Sequence, residues 1–270
     1  MRNLSWIPLT FMLLAPVSAL AADGPELRTR IEVGFLDPMY HTVQFGSDGT
    51  NIDYVDEGGQ DVLFPFVRPS VEALFGRHRV GFVYQPINLE GEVVTRRDWL
   101  IDGLVFPEGT PVDTRYSFPF WRVSYGYDVL SDPEAELELG ASLQLRDATI
   151  TFTSADGSLR RSERDVGPVP ILRARLRLPV TESTWFETEV DGFYAPIKYI
   201  NGGDSDVVGA IVDFNVRYGF QLTEDYDAFL NFRYLGGGAE GTSDSEFGDG
   251  FTKNWLHFAT VSLGFTYDVL

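Results

Sequence analysis

The sequence predicts an all-β protein, a closed antiparallel up-and-down transmembrane β-barrel of about ten strands with short periplasmic turns and long extracellular loops. Three observations carry this reading. Apolar and polar residues alternate with period two along most of the chain, which places successive side chains on opposite faces of a strand. The connections between these segments alternate between short turns and long polar loops. After the first twenty or so residues there is no run of about eighteen apolar residues, the length a helix needs to cross a bilayer, so entry into a membrane must use strands.

Taken in order, strands are expected near 28–45, 62–76, 79–87, 115–130, 136–153, 168–178, 184–198, 207–222, 226–236 and 255–269. The first should be broken at Asp37-Pro38, because proline has no N–H to give a ladder. In the fourth, Trp121, Val123, Tyr125, Tyr127 and Val129 oppose Arg122, Ser124, Gly126 and Asp128. In the fifth, Leu137, Leu139, Ala141, Leu143 and Leu145 oppose Glu136, Glu138, Gly140, Ser142, Gln144 and Arg146. The eighth gives the clearest stripe, with Val212, Phe214, Val216, Tyr218, Phe220 and Leu222 against Asp213, Asn215, Arg217, Gly219 and Gln221. Short turns fall at 76–78, 131–134, 180–183 and 223–225; long loops fall near 46–61, 88–114, 154–167, 199–206 and 237–254. An even strand number puts both termini on the short-turn side.

Composition narrows the partners. The chain has 21 Lys and Arg against 40 Asp and Glu, a formal net charge of −19, and this balance excludes a nucleic-acid interface built on a basic face. Met1-Arg2-Asn3, the apolar stretch from Leu4 to Leu14 and Ala19-Leu20-Ala21 read as a signal peptide over 1–21, leaving a barrel domain over 22–270. There is no cysteine, hence neither a disulfide framework nor a thiolate.

The polar face separates a barrel from a soluble sandwich, whose apolar face would point into a core instead of into lipid. Leu172, Ala174, Leu176 and Leu178 alternate with Arg173, Arg175 and Arg177, and Phe186, Thr188 and Val190 alternate with Glu187, Glu189 and Asp191. As neighbouring antiparallel strands these would set an arginine row against a carboxylate row. A closed lumen is where such rows can neutralise one another, and Asp213, Arg217 and Arg233 extend the expected ladder. Aromatics toward strand ends or on the apolar face, among them Trp121, Trp185, Tyr194, Tyr234, Trp255 and Tyr267, match interfacial girdles.

With these features the mature chain resembles the small outer-membrane β-barrels of Gram-negative bacteria. Its last strand, Ala259-Thr260-Val261-Ser262-Leu263-Gly264-Phe265-Thr266-Tyr267-Asp268-Val269-Leu270, is similar to their carboxy-terminal assembly signature, although Leu270 is out of phase with Phe265, Tyr267 and Val269. The resemblance implies residence in the outer membrane, contact with its lipid and lipopolysaccharide, and delivery by the barrel assembly machinery. It leaves activity open.

The search for chemistry gives few leads. His78 falls in a short turn, His257 on the lipid side near a rim, and His41 beyond the proline, none beside an evident Ser or Asp partner. Acidic pairs such as Asp204 with Asp206 and Asp244 with Glu246 lie in polar loops, where carboxylates are solvated; no segment follows a complete calcium-loop or phosphate-loop pattern. No catalytic residue, metal or cofactor is therefore expected. The longest loop carries Arg96, Arg97, Trp99 and Phe106 and is the candidate recognition surface, with a lid or a strand extension as equal alternatives. The expected function is a non-enzymatic envelope protein with a largely charge-filled lumen. A narrow small-solute or ion channel is the alternative, and an outer-membrane enzyme acting on lipid A or peptides is third.

Overall fold

The computed structural model describes residues 25–130, 132, 134–196, 206–242 and 248–269, so the segment expected to be a signal peptide and most of the loop expected at 199–206 lie outside the described residues. It contains β1 (Glu26–Phe45), β2 (Ile52–Asp53), β3 (Phe64–Phe75), β4 (His78–Gln85), β5 (Asn88–Val94), β6 (Trp99–Ile101), β7 (Leu104–Phe106), β8 (Pro111–Ser117), β9 (Phe120–Asp128), β10 (Glu136–Ser154), β11 (Arg160–Thr181), β12 (Thr184–Pro196), β13 (Val208–Gln221), β14 (Tyr226–Thr242) and β15 (Phe251–Val269). Ten of these, β1, β3, β4, β9 and β10 to β15, pair antiparallel in chain order, and β15 pairs back with β1 from Leu27↔Val269 to Phe45↔Thr252. The barrel is closed, with no free edge along its lower wall.

The outward face carries the apolar stripe. Ile31, Val33 and Phe35 on β1, Val123 and Tyr125 on β9, Leu139, Leu143 and Leu145 on β10, Phe214 and Tyr218 on β13, and Val261, Leu263 and Phe265 on β15 are all exposed. Together they form a continuous apolar belt, the surface that a barrel presents to lipid. The connections β3–β4, β9–β10, β11–β12 and β13–β14 are tight and lie at one end with both described termini, as the alternation of loop lengths requires.

Three expectations are corrected. Asp37-Pro38 does not break β1; it produces a bulge, with the pairing to β15 skipping one residue between Pro38↔Phe258 and Tyr40↔His257. Proline is tolerated there because the pairing of β1 with β3 has already ended at Leu36↔Phe64. The loops expected near 154–167 and 237–254 are largely strand, since β10 and β11 pair as far as Thr153↔Arg160 and β14 and β15 as far as Thr242↔Phe251. Segment 88–114 is a built cap: β5 pairs with β8, β8 joins the outer end of β10, and β6 and β7 form a small hairpin across Asp102 and Gly103, both at positive φ. That Asp-Gly pair is a strong hairpin signal for a two-residue loop.

Candidate functional site

The barrel interior has two tiers. The lower tier, at the short-turn end, is charged. Arg173, Arg175 and Arg177 stand directly opposite Asp191, Glu189 and Glu187, the register that the alternation implies. The closest ion pairs leave that register: Arg173 bonds Glu189 at 2.9 Å and keeps Asp191 only at 3.9 Å, Arg175 lies 3.2 Å from Glu187, and Arg177 turns down to Asp227 at 3.2 Å. Diagonal neighbours lie within reach of long side chains, and the step frees each carboxylate for a second cation. Glu187 uses it for Arg217 on β13, at 2.5 Å.

Asp191 and Asp213 face each other in register on β12 and β13, an arrangement that two carboxylates cannot hold unaided. Arg122 crosses from β9 to join them, at 2.5 Å from Asp191 and 3.0 Å from Asp213. Arg233 then holds Asp213 bidentately, Nε and Nη2 donating at 2.6 and 2.8 Å, and donates through Nη1 to Gln85 on β4. Further bonds cross the lumen. Arg68 on β3 reaches Glu32 at 2.6 Å and Asn215 on β13 at 3.3 Å; Arg79 on β4 binds Glu72, Glu136 and Glu138 at 2.6 to 2.7 Å. A free space among these groups measures about 30 Å³, room for a water or two.

Glu32, Arg68, Glu72, Arg79, Arg122, Glu136 and Glu138 are thus members of the network beyond the arginine and carboxylate rows of β11 and β12. Their inward parity on their own strands was the signal that could have found them. Trp185 is another correction: it points inward, not into a girdle. Its Nε1 donates to Asp227 at 2.9 Å, and the Arg177 guanidinium lies 4.1 Å above its ring. With Phe229 it forms the floor of the lumen.

Above the charged tier the inward positions turn apolar. Ile171, Phe193, Ile211 and Leu235 take the place of arginines and carboxylates at the corresponding parity of β11 to β14, and Phe258 follows Thr260 and Ser262 on β15. Beyond them the cap closes one side of the mouth with its own core of Val43, Phe45, Ile52, Tyr54, Trp99, Ile101, Phe106, Tyr116 and Phe152. Trp99 and Phe106 are 1 % and 0 % exposed, so they are anchors of the cap core and not contacts offered to an outside ligand. Arg96 is exposed, and Arg97 is held by Glu57 at 2.8 Å.

The histidines have distinct places. His41 lies above the belt in the cap: its Nδ1 is 2.7 Å from Gln60 Oε1, and its ring stacks on Tyr54 at 4.4 Å. Burial pushes its pKa down to about 4, so it stays neutral near neutral pH. His257 is on the outward face, 2.6 Å from the Tyr234 hydroxyl, and His78 meets the Tyr125 hydroxyl at the short-turn end. In the outer loops, Asp249 accepts from the Ser47 hydroxyl and backbone N–H and is held at about 2 by these bonds and one from the Phe251 N–H. Among the described residues no group of three or more His, Asp or Glu could hold a metal ion. Asp204, Asp244 and Glu246 lie outside the described residues.

No family model and no curated protein matches the chain. Among solved structures, the outer membrane protease OmpT from Escherichia coli is similar with a TM-score of 0.57 at 11% identity, covering 92% of this chain and 99% of that one. The transport unit of the autotransporter AIDA-I from Escherichia coli (TM-score 0.44, 9% identity, 90% of both chains) and the Pseudomonas putida toluene transporter TodX (TM-score 0.37, 8% identity, 93% and 91%) also match. The closed sheet, its outward apolar belt and the likeness in fold to an outer-membrane protein together show a ten-stranded transmembrane β-barrel.

Proposed function

We propose that this protein is a non-enzymatic, non-conducting envelope barrel, with a lower lumen sealed by ion pairs and an outer surface that serves interaction. The single observation that carries this reading is the set of cross-lumen contacts from Arg68, Arg79, Arg122 and Arg233, which line a space of about 30 Å³. The channel alternative would need Arg173, Arg175 and Arg177 to line a gap, whereas all three are engaged by carboxylates. On this reading the partners are outer-membrane lipid and lipopolysaccharide around the belt, and the barrel assembly machinery at the final strand. Interaction falls to the polar rim of the cap, where Arg96 and Arg97 are presented, with Trp99 and Phe106 supporting it from beneath. Purified protein in planar bilayers tests the reading. It should give no discrete conductance, and steady single-channel steps would refute it.

A further inference from the structure

The wall of the barrel has one seam. β11 and β12 pair from the short-turn end up to Leu172↔Gly192 and no further. Above that point β11 stays with β10 as far as Thr153↔Arg160, and β12 stays with β13 as far as Pro196↔Val208. Ile171 to Pro168 on one side and Phe193 to Pro196 on the other are therefore strand residues unpaired across the seam. Pro168 and Pro170 explain why it does not zip. Residues two apart in a strand direct their backbone groups to the same neighbour, so both prolines withhold a donor from one side of β11. The ladder to β10 runs through both positions, which leaves the seam as the side they affect. The side chains flanking the split, Leu172 at 69 % and Tyr194 at 72 %, are the most exposed large apolar residues described.

The seam lies at the outer part of the belt. Pro168 and Pro170 are level with Leu145 and Leu143 of β10, and Leu145 is level with the outward Trp121 of β9. Behind it is the upper tier, which holds a partly open cavity of about 260 Å³ lined by Val169, Phe193, Ile211, Leu235 and Phe258 and, among its polar groups, by the Arg146–Asp165 ion pair. Three of its lining side chains keep a buried polar atom without a partner: Gln144 Nε2, Arg146 Nε and Asn254 Oδ1. Gln144 is fully buried; its Oε1 accepts from Arg122, while its Nε2 donates to nothing described. Burying such a donor is costly unless something accepts from it. A Cβ built on Gly167, at the mouth of the seam, meets nothing within 4 Å.

We propose that this cavity binds a single alkyl chain, with an acyl oxygen accepting from Gln144, and that the chain enters sideways from the outer leaflet between β11 and β12. A largely apolar chamber behind an unpaired stretch of wall at leaflet depth fits a chain arriving from lipid, and its volume takes one chain instead of a multi-chain lipid body. The proposal is independent of whether the lower lumen conducts.

The test uses the full mature chain folded in dioleoylphosphatidylcholine vesicles and two photoreactive probes. One is palmitic acid with a terminal diazirine, and the other is a phosphatidylcholine with the same group on one chain. After irradiation, mass spectrometry locates the adducts. Adducts on inward Val169, Phe193 or Ile211 are expected from at least one probe, and the reactive probe tells whether the chain arrives free or as part of a lipid. Gly167→Trp and Ile211→Trp fill the space from different strands, and each should lower inward labelling roughly tenfold. Retained gel mobility shift on boiling shows that each variant is folded. Adducts confined to outward residues such as Leu172 and Tyr194, or inward adducts undiminished in both folded variants, would overturn the proposal.

Discussion

At the scale of single residues, the interior is governed by which charges a given arginine must serve. Arg122 is the most exposed to test, because it alone spans Asp191 and Asp213, two carboxylates in direct register. Arg122→Met should destabilise the barrel by about 3–5 kcal/mol, the usual cost of stranding a buried charge. The measurement is the urea midpoint of the gel-mobility transition; combining the change with Asp191→Asn should recover part of the loss. Glycine acts at the floor. A Cβ at Gly219 would lie 2.0 Å from the Trp185 ring, so Gly219→Ala must displace the ring from beneath Arg177, at a cost of about 1–3 kcal/mol in the same assay. The arginine and carboxylate rows of β11 and β12 were legible in the sequence, and so was their register. The choice of diagonal over direct partners was not, because it depends on Arg217 and Arg122 arriving from other strands.

At the scale of elements, period-two alternation located the ten wall strands, and the short turns located the end at which they close. Ladder extent was less legible. The upper parts of β11 and β14 carry few apolar residues, since above the membrane both faces are polar, and alternation fades although pairing continues. The cap was hidden for a different reason. Asn88–Val94 and Pro111–Ser117 do alternate, with Leu89, Val112 and Tyr116 buried, but their partners lie far away in the chain on β1 and β10. His41 gives the cap a pH dependence whose sign is fixed. Its folded pKa, about 4, lies below the ordinary value of 6.5, so only the unfolded form takes up a proton as pH falls through that interval. Cap stability should be complete above pH 6.5 and decline toward pH 4, by up to about 3 kcal/mol. Hydrogen exchange of residues 88–117, corrected for intrinsic rate, should accelerate over this range, and His41→Gln should flatten the change. An equally steep profile in the variant would assign the effect to other groups.

At the scale of the whole molecule, the architecture is a lipid-facing belt around a lumen that changes character with height: an aromatic floor, a charged tier, a largely apolar chamber beside a seam, and a cap. The sequence revealed the belt and the charged tier, since both follow from alternation within one strand. It did not reveal the chamber, because the replacement of inward charges by Val169, Phe193, Ile211 and Leu235 becomes a single surface only when the barrel closes. On the proposed function the charged tier separates the two faces of the membrane, and its sealing is what that reading stands on. The direct measurement is single-channel conductance in planar bilayers of the native chain beside Arg68→Ser/Arg79→Ser/Arg122→Ser/Arg233→Ser, in which the cross-lumen contacts are removed. A silent native chain and discrete steps in the variant are predicted; steps of similar size from the native chain would contradict the account.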